Sequence, residues 1–414
     1  MKSSRLIAFE ALHKIFTDNA YSNLTLENVL KDVKEDKSFI SALVYGTVER
    51  KITLDYYIFK YLNSKPKPKI LTILRLGAYQ ILFMEKVPDS ATVNESVKLT
   101  KEINRSYYAS LVNAVLHKIQ QDNESVENIK DLSIKYSVPQ NLINMWYKQY
   151  SKEKVDAFLP FVNSRPPVFA VPNRLYVDAD ELQYELMSEG IECETVGELV
   201  KINSPFDLNK LKSFENGLFH IQDMSSYECA KSLGVQKDDT VIDICSAPGG
   251  KTFTLAELTE NSGTVYAYDL YEHRINQVVK GAKRLGLDNI VCGINDASKY
   301  NSAIPLADKI LCDVVCSGYG IIRRKPEIRY KELDSVKALP EIQLKILETA
   351  SKYLKSGGTI VYSTCTLNKK ENEAVTKAFL NDNKDFSITE EKTTFPSLEG
   401  GDGFYRAVMK KNEN

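Results

Sequence analysis

Cysteine, aspartate and lysine are the residues of this sequence with chemistry to offer, and they recur where apolar runs end. In YSTCTLNKKENEAV (362–375), Cys365 stands between two threonines just after the run Thr359, Ile360, Val361, Tyr362. Cys316 repeats the setting after KILCDVV (309–315). An ionised thiol is a strong nucleophile and a good leaving group. A free cysteine is also one of the residue types most often buried and inert. Both readings, core hydrophobe and reactive thiol, are open from these stretches alone.

A second cluster is DICSAPGGKT (243–252), which follows an apolar run and opens a helical pattern. Backbone N–H groups at such a turn attract anionic or polar ligand groups. A Walker A loop needs glycine five positions before Gly250, where Cys245 stands, and G-x-G-x-x-G is absent because only Gly249 and Gly250 are present. Two readings remain: an ordinary tight turn, or a turn that binds S-adenosylmethionine. The second needs an acid after the next strand. Asp269 ends TVYAYD, 20 residues after Gly249, where a carboxylate can take two ribose hydroxyls. Asp296 in CGINDAS could meet an adenine amino group, and Asp313 in LCDVVCSG stands where methyl donor and acceptor would meet. Singly, either acid also reads as a cap or turn residue. Three acids at three successive strand ends make a weaker coincidence. The basic run RRKPEIRY carries Arg323, Arg324, Lys325 and Arg329 just after Cys316. It reads as a solvated face or as a clamp for an RNA backbone.

The elements that must position these groups follow from periodicity. Strand-like runs at 240–245, 264–269, 289–294, 309–315 and 359–364 alternate with helical segments, the pattern of a doubly wound, mostly parallel sheet. Ligands of such sheets lie beyond the carboxyl ends of the strands, so both thiols should face one crevice. Residues 1–120 read as helices. SSRLIAFEALHKIF has Ser3 or Ser4 as its cap, the nearly all-apolar run 70–84 is a central buried helix, and Thr92-x-x-Glu95 offers a capping box. Residues 121–160 are more polar and helical. Three prolines in 163–175 then lead into a small mixed α/β stretch around DADELQYELMSEG. The expected domains are therefore 1–125, 126–216 and 217–414.

The 414 residues hold 43% hydrophobic and 26% charged residues, as in a soluble globular chain. The net charge of −1 provides no overall attraction to nucleic acid, but residues 1–125 hold 18 Lys+Arg against 14 Asp+Glu, a hint of a polyanionic partner. Seven scattered cysteines without C-x-x-C spacing, and four separated histidines, argue against a disulfide framework and a structural metal. No signal peptide or membrane span is visible. The expectation is a cytoplasmic, metal-free protein, monomeric, with no membrane partner.

The stretches DICSAPGGKT, DVVCSGYGIIRRKPEIRY, GGTIVYSTCTLNKKENEAV and EGGDGFYRA together resemble the RNA cytosine-5 methyltransferases, most nearly the Fmu/Sun (RsmB-type) group that modifies small-subunit ribosomal RNA. LRLGAYQILFMEKVPDSATVNESVKLTKE followed by ASLVNAVLHKI resembles the NusB-like RNA-binding bundle of that group. The resemblance implies a helical NusB-like domain, a small α/β subdomain and a Rossmann-like class I methyltransferase sheet. It implies that Cys245, Ser246, Ala247, Pro248, Gly249, Gly250 and Lys251 line the methionine part of S-adenosylmethionine, with Asp269, Asp296 and Asp313 around its nucleoside. Cys365 would be the nucleophile, Cys316 the thiol that helps release product, and Asp313 and Lys251 their electrostatic partners. Small-subunit ribosomal RNA would be the substrate, with transfer RNA, or a non-catalytic RNA-binding role, as alternatives. The chain departs from the family's usual Asp-Ala-Pro-Cys at Val315, which should leave that loop freer, and has Ser246 where alanine is common.

Overall fold

Apolar residues at helical spacing form α1 (Ser4–Asp18), and Ser3 Oγ caps it by accepting from Leu6 N at 3.2 Å. The computed structural model describes residues 2–413 apart from 19, 32, 34 and 35. It divides into two units, residues 1–163 with 322–333, and residues 164–321 with 334–414. Neither 125 nor 216 is a boundary between them.

The first unit is helical throughout its described residues. After α1 come α2 (Ser22–Leu30), α3 (Lys37–Glu49), α4 (Lys51–Phe59), α5 (Pro68–Phe83), α6 (Asp89–Glu102), α7 (Ala109–Gln120), α8 (Leu132–Tyr136), α9 (Gln140–Gln149) and α10 (Lys152–Phe158). Helix α5 is the central one: Ile70 to Ala78 are buried without a break, as an all-round apolar helix requires. Its Arg75 reaches Asp55 of α4 through two bonds of 2.7 Å. The capping box expected at Thr92 does not start a helix. Pro88 precedes α6, which begins at Asp89, so Thr92 lies buried in its first turn.

The second unit holds two sheets. The smaller has the order β2-β3-β1-β4, all antiparallel: β1 (Val168–Pro172), β2 (Cys193–Val196), β3 (Leu199–Ile202) and β4 (Phe219–Ile221). Helix α11 (Ala179–Ser188) packs on it and starts with a capping box of Asp178 and Glu181. The short α12 (Lys212–Glu215) precedes β4, and α13 (Met224–Ser232) follows it.

The larger sheet has the order β10-β11-β9-β8-β5-β6-β7. Its strands are β5 (Thr240–Asp243), β6 (Thr264–Asp269), β7 (Ile290–Ile294), β8 (Ala307–Asp313), β9 (Leu354–Thr364), β10 (Phe386–Thr394) and β11 (Phe404–Lys411). The first five are parallel, as their alternation with helices demands. The antiparallel pair β10 and β11 continues the sheet beside β9 and was not expected. Helices α16 (Leu339–Ser351) and α17 (Glu373–Asp382) cover one face. Helices α13, α14 (Gly250–Leu258) and α15 (Glu272–Leu285) cover the other.

Candidate active site

The chain runs outward from β5 to β6 and β7, then returns to lay β8 on the opposite side of β5. That reversal is the switch point at which doubly wound sheets bind ligands. Asp243 ends β5 and Asp313 ends β8, so both carboxyls arrive at its mouth.

The loop after β5 turns through a cis Ala247–Pro248 bond to Gly249, whose φ is +117°. A Cβ there would lie 2.4 Å from the Phe253 ring, so only glycine fits. Gly250 opens α14, whose first N–H groups have no intrahelical partner. Beside this loop is a cavity of about 210 Å³ lined by Gln222, Asp223, Ser226, Asp243, Asp313 and most of 245–251. Asp243 Oδ1 and Ser246 Oγ are buried there without a hydrogen-bond partner among the described residues. Burial pushes the Asp243 carboxyl up to about 7, although Thr252 Oγ1 donates to it at 2.7 Å. Burial also pushes the Cys245 thiol well up, so it stays protonated.

Lys251 is not a solvated residue at a helix start. Its ammonium, only 12% exposed, meets Asp313 Oδ2 at 2.7 Å and lies 5.1 Å from the Phe404 ring centroid. Burial alone would lower its pKa, but the charge of Asp313 outweighs burial and the net direction is upward. Ser363 Oγ donates to the other Asp313 oxygen at 3.0 Å. The ammonium also interacts electrostatically with Cys365.

The two thiols come together. Strands β8 and β9 are parallel neighbours with Asp313 opposite Ser363, so the residues past their ends share one side of the crevice. Cys316 Sγ and Cys365 Sγ are 3.2 Å apart. The Cys316 thiol is pushed well up, first by that hydrogen bond and then by burial. The loop at Val315 is tied despite the missing proline. Val314 N donates to Ser363 O at 3.1 Å, Gly320 N to Cys365 O at 3.0 Å, and Gln343 Nε2 to Val315 O at 2.9 Å.

Other expected residues stand elsewhere. Asp269 is 3% exposed, and its carboxylate accepts from Ala247 N and Tyr271 N and pairs with Arg274. It braces the glycine loop from behind and does not line the cavity. Asp296 accepts from Ser298 N and Oγ and meets Lys299 at 2.9 Å, holding its own turn. These contacts bring its carboxyl down to about 2.

The basic run is a correction. Residues 322–333 belong to the first unit. Arg329 is 1% exposed and donates to Glu49 O, Ser137 O, Val162 O, Ile322 O and Asn163 Oδ1 at 2.8–3.2 Å. Arg323 is buried as well, and Arg324 and Lys325 are half-buried. Arg329 and Arg323 are thus interior residues, not an exposed RNA clamp, because the guanidinium of Arg329 is used up on main-chain and amide oxygens. Residues that sequence reasoning missed are Asp243, Phe404 and the polar groups behind the thiols. Asp243 opens the quoted glycine stretch, and its position at a strand end was the available signal.

A Rossmann-like sheet with a glycine turn at its switch point is the frame of an S-adenosylmethionine-dependent methyltransferase, and the crystal structure of PH0851 shares it. PH0851 superposes with a TM-score of 0.81 at 25% identity, over 99% of each chain. The crystal structure of NSun6 from Pyrococcus horikoshii with SFG has the same fold over 67% of this chain and 99% of that one (TM-score 0.59, 22% identity). Residues 230–410 match the family described as 16S rRNA methyltransferase RsmB/F, and residues 2–121 match the NusB family. A protein of Bacillus subtilis (strain 168) called probable ribosomal RNA small subunit methyltransferase B is 36% identical over 447 aligned positions, covering 99% of each chain. The chain belongs to the RsmB/F methyltransferase family and carries a NusB domain at its N-terminus. Among the described residues no helix is long and apolar enough to cross a membrane, and no group of side chains is suited to hold a metal ion.

Proposed function

We propose that this protein methylates carbon 5 of a cytosine in small-subunit ribosomal RNA through a covalent bond from Cys365 to the base. The observation that carries it is the 3.2 Å meeting of Cys316 and Cys365 at adjacent strand ends, beside a buried ammonium. The Bacillus subtilis relative's name supports the RNA class.

The cavity suits the amino-acid end of S-adenosylmethionine. At about 210 Å³ it is smaller than the ~300–1,000 Å³ pockets that enclose drug-sized ligands, so it takes part of the cofactor. It offers that part a carboxyl, Asp243, and a hydroxyl, Ser246, that lack partners of their own. Residues 245–251 would hold the methionine end, and Asp269 and Asp296, on the next two strands, the ribose and adenine. The bound cofactor supplies an electrophilic methyl group.

The chain's own residues do the rest. Carbon 5 of cytosine is a poor nucleophile until a thiolate adds to carbon 6. Cys365 forms that C–S bond, aided by the Lys251 ammonium that interacts with it. The Lys251–Asp313 pair then faces the charge that develops on the ring, where preorganised groups are most effective. Once carbon 5 carries the methyl group, Cys316 assists removal of its proton. The double bond re-forms and Cys365 leaves. The target base must leave any stack, at about a few kcal/mol, which phosphate contacts offset.

Methyl transfer to naked small-subunit RNA and to assembled subunits, with the modified base mapped, tests the reading. Cys365→Ala should reduce methylation to background while cofactor binding survives. Cys316→Ala should still attack and methylate, then stall as a protein–RNA adduct visible on denaturing gels. Absence of 5-methylcytosine from every RNA tested would overturn the proposal, and the reverse adduct pattern would exchange the two thiols.

A further inference from the structure

Behind the two thiols lies a carboxylate with no part in the steps above. Glu371, in the turn between β9 and α17, is 0% exposed. Its oxygens accept from Ser317 N at 2.8 Å, Ser317 Oγ at 2.6 Å, Asn368 Nδ2 at 2.8 Å and Gln343 Nε2 at 3.1 Å. Ser317 is the residue after Cys316, and Asn368 is three residues past Cys365. Gln343, from α16, also donates to Val315 O. One carboxylate therefore ties the loop of each thiol to the other and both to a helix. None of those four donors is a cation. A buried carboxylate is expensive unless hydrogen-bonded, and apolar packing would stabilise the same space at least as well. Nor are the loops otherwise unjoined, since Gly320 N already donates to Cys365 O. What the carboxylate adds is fixed placement of the residues flanking the thiols.

We propose that Glu371 is a positioning residue that sets the separation of Cys316 and Cys365 by holding both of their loops on one carboxylate. The inference rests on the reading of Cys365 as nucleophile and Cys316 as its partner in release. The charge of Glu371 acts in the same sense, because it adds to the effects that keep Cys316 a thiol. Misplacement of reacting groups by about 1 Å can lower a rate about a hundredfold, so small movements of either loop should be visible in turnover.

The test uses the full chain with Glu371→Gln, which keeps shape but turns an amide NH2 toward groups that are themselves donors. Calorimetry should find S-adenosylmethionine affinity within about twofold of wild type, and kcat should fall about a hundredfold with little change in KM for RNA. A second readout needs no RNA. Diamide takes two hydrogens and two electrons from the thiols, becoming the hydrazine as a Cys316–Cys365 disulfide forms. Peptide mapping should show closure slowed about tenfold or more in Glu371→Gln, with partial recovery in Glu371→Asp. Closure and methylation both at wild-type rate in a Glu371→Gln variant that binds cofactor would overturn the proposal. If that variant does not fold, Ser317→Ala decides, since it removes one donor; wild-type rates of closure and turnover there would overturn it equally. Slowed closure in a protein whose wild type methylates no cytosine would leave the positioning role standing and remove the nucleophile reading.

Discussion

The carboxyl of Asp243 gives the crevice a pH dependence of its own. It is 1% exposed, and burial pushes it up to about 7. An unfolded chain releases that proton near pH 4. Between those values the folded chain binds more protons than the unfolded one, so its stability falls as pH rises. The loss from this residue begins near pH 4, is complete above about 7, and amounts to about 4 kcal/mol at most. Asp243→Asn keeps an oxygen for Thr252 and cannot ionise. Urea titrations across this range should show the variant close to wild type at pH 4 and more stable than wild type at pH 8. Parallel curves for the two proteins would mean that ionisation of Asp243 does not limit stability. Lys251 illustrates the opposite balance at the same scale. Its nearby countercharge outweighs burial, and its ammonium is retained.

Strands β8 and β9 place the two thiols, but their loops reach that geometry through close backbone packing. Gly320 sits where the loop after Cys316 passes under the lead into β11. A Cβ at Gly320 would lie 1.9 Å from Gly403 O and 2.8 Å from Cys365 O. Both neighbours are backbone and cannot swing aside. Gly320→Ala should therefore lower stability by about 1–3 kcal/mol, the usual cost of overpacking. It should reduce methyl transfer more than cofactor affinity, because Gly320 is not among the residues lining the cavity. Urea denaturation and calorimetric titration measure the two effects. An unchanged denaturation midpoint would show that the loop yields, and that its path does not depend on this contact.

Across the whole molecule, the first unit is discontinuous in sequence. Residues 322–333 return to it after the chain has built most of the second unit. They bring Arg329 to five oxygens of that unit, Glu327 to Ser22 at 2.8 Å, and the Tyr330 hydroxyl to Val48 O at 2.8 Å. A fragment ending at residue 163 lacks these partners. Joining 322–333 to such a fragment through a flexible linker should raise its melting temperature, and Arg329→Ala should reverse most of the gain, since breaking a buried charged group's contacts costs about 3–5 kcal/mol. Equal melting temperatures with and without the segment would show that the helices hold together without it. The charge balance of residues 1–125, 18 basic against 14 acidic, makes RNA affinity of this unit salt-sensitive in expectation.

The sequence by itself determined the helices, the parallel strands and the placement of Cys316 and Cys365 at strand ends. Those signals are local. A period of 3.6 or 2 residues, a glycine turn or a proline shows itself within about ten positions. The frame SAPGGK was legible for the same reason, since Gly249 needs its φ of +117° whatever lies beyond. Strand β10 was not legible, because FSITEEKTT is exposed along most of its length and offers no apolar alternation. It becomes a strand by pairing with β11, a decision made outside its own residues. Likewise, Lys251 and Arg329 look alike in sequence as basic residues near an active-site stretch. Lys251 finds Asp313 across 62 positions, whereas Arg329 finds Glu49 O across 280. Which acid faces the cavity, which cation is interior and which carboxylate joins two loops depend on three-dimensional proximity. Electrostatic and hydrogen-bond energies act over a few ångströms of space, and only the folded chain brings such distant positions that close.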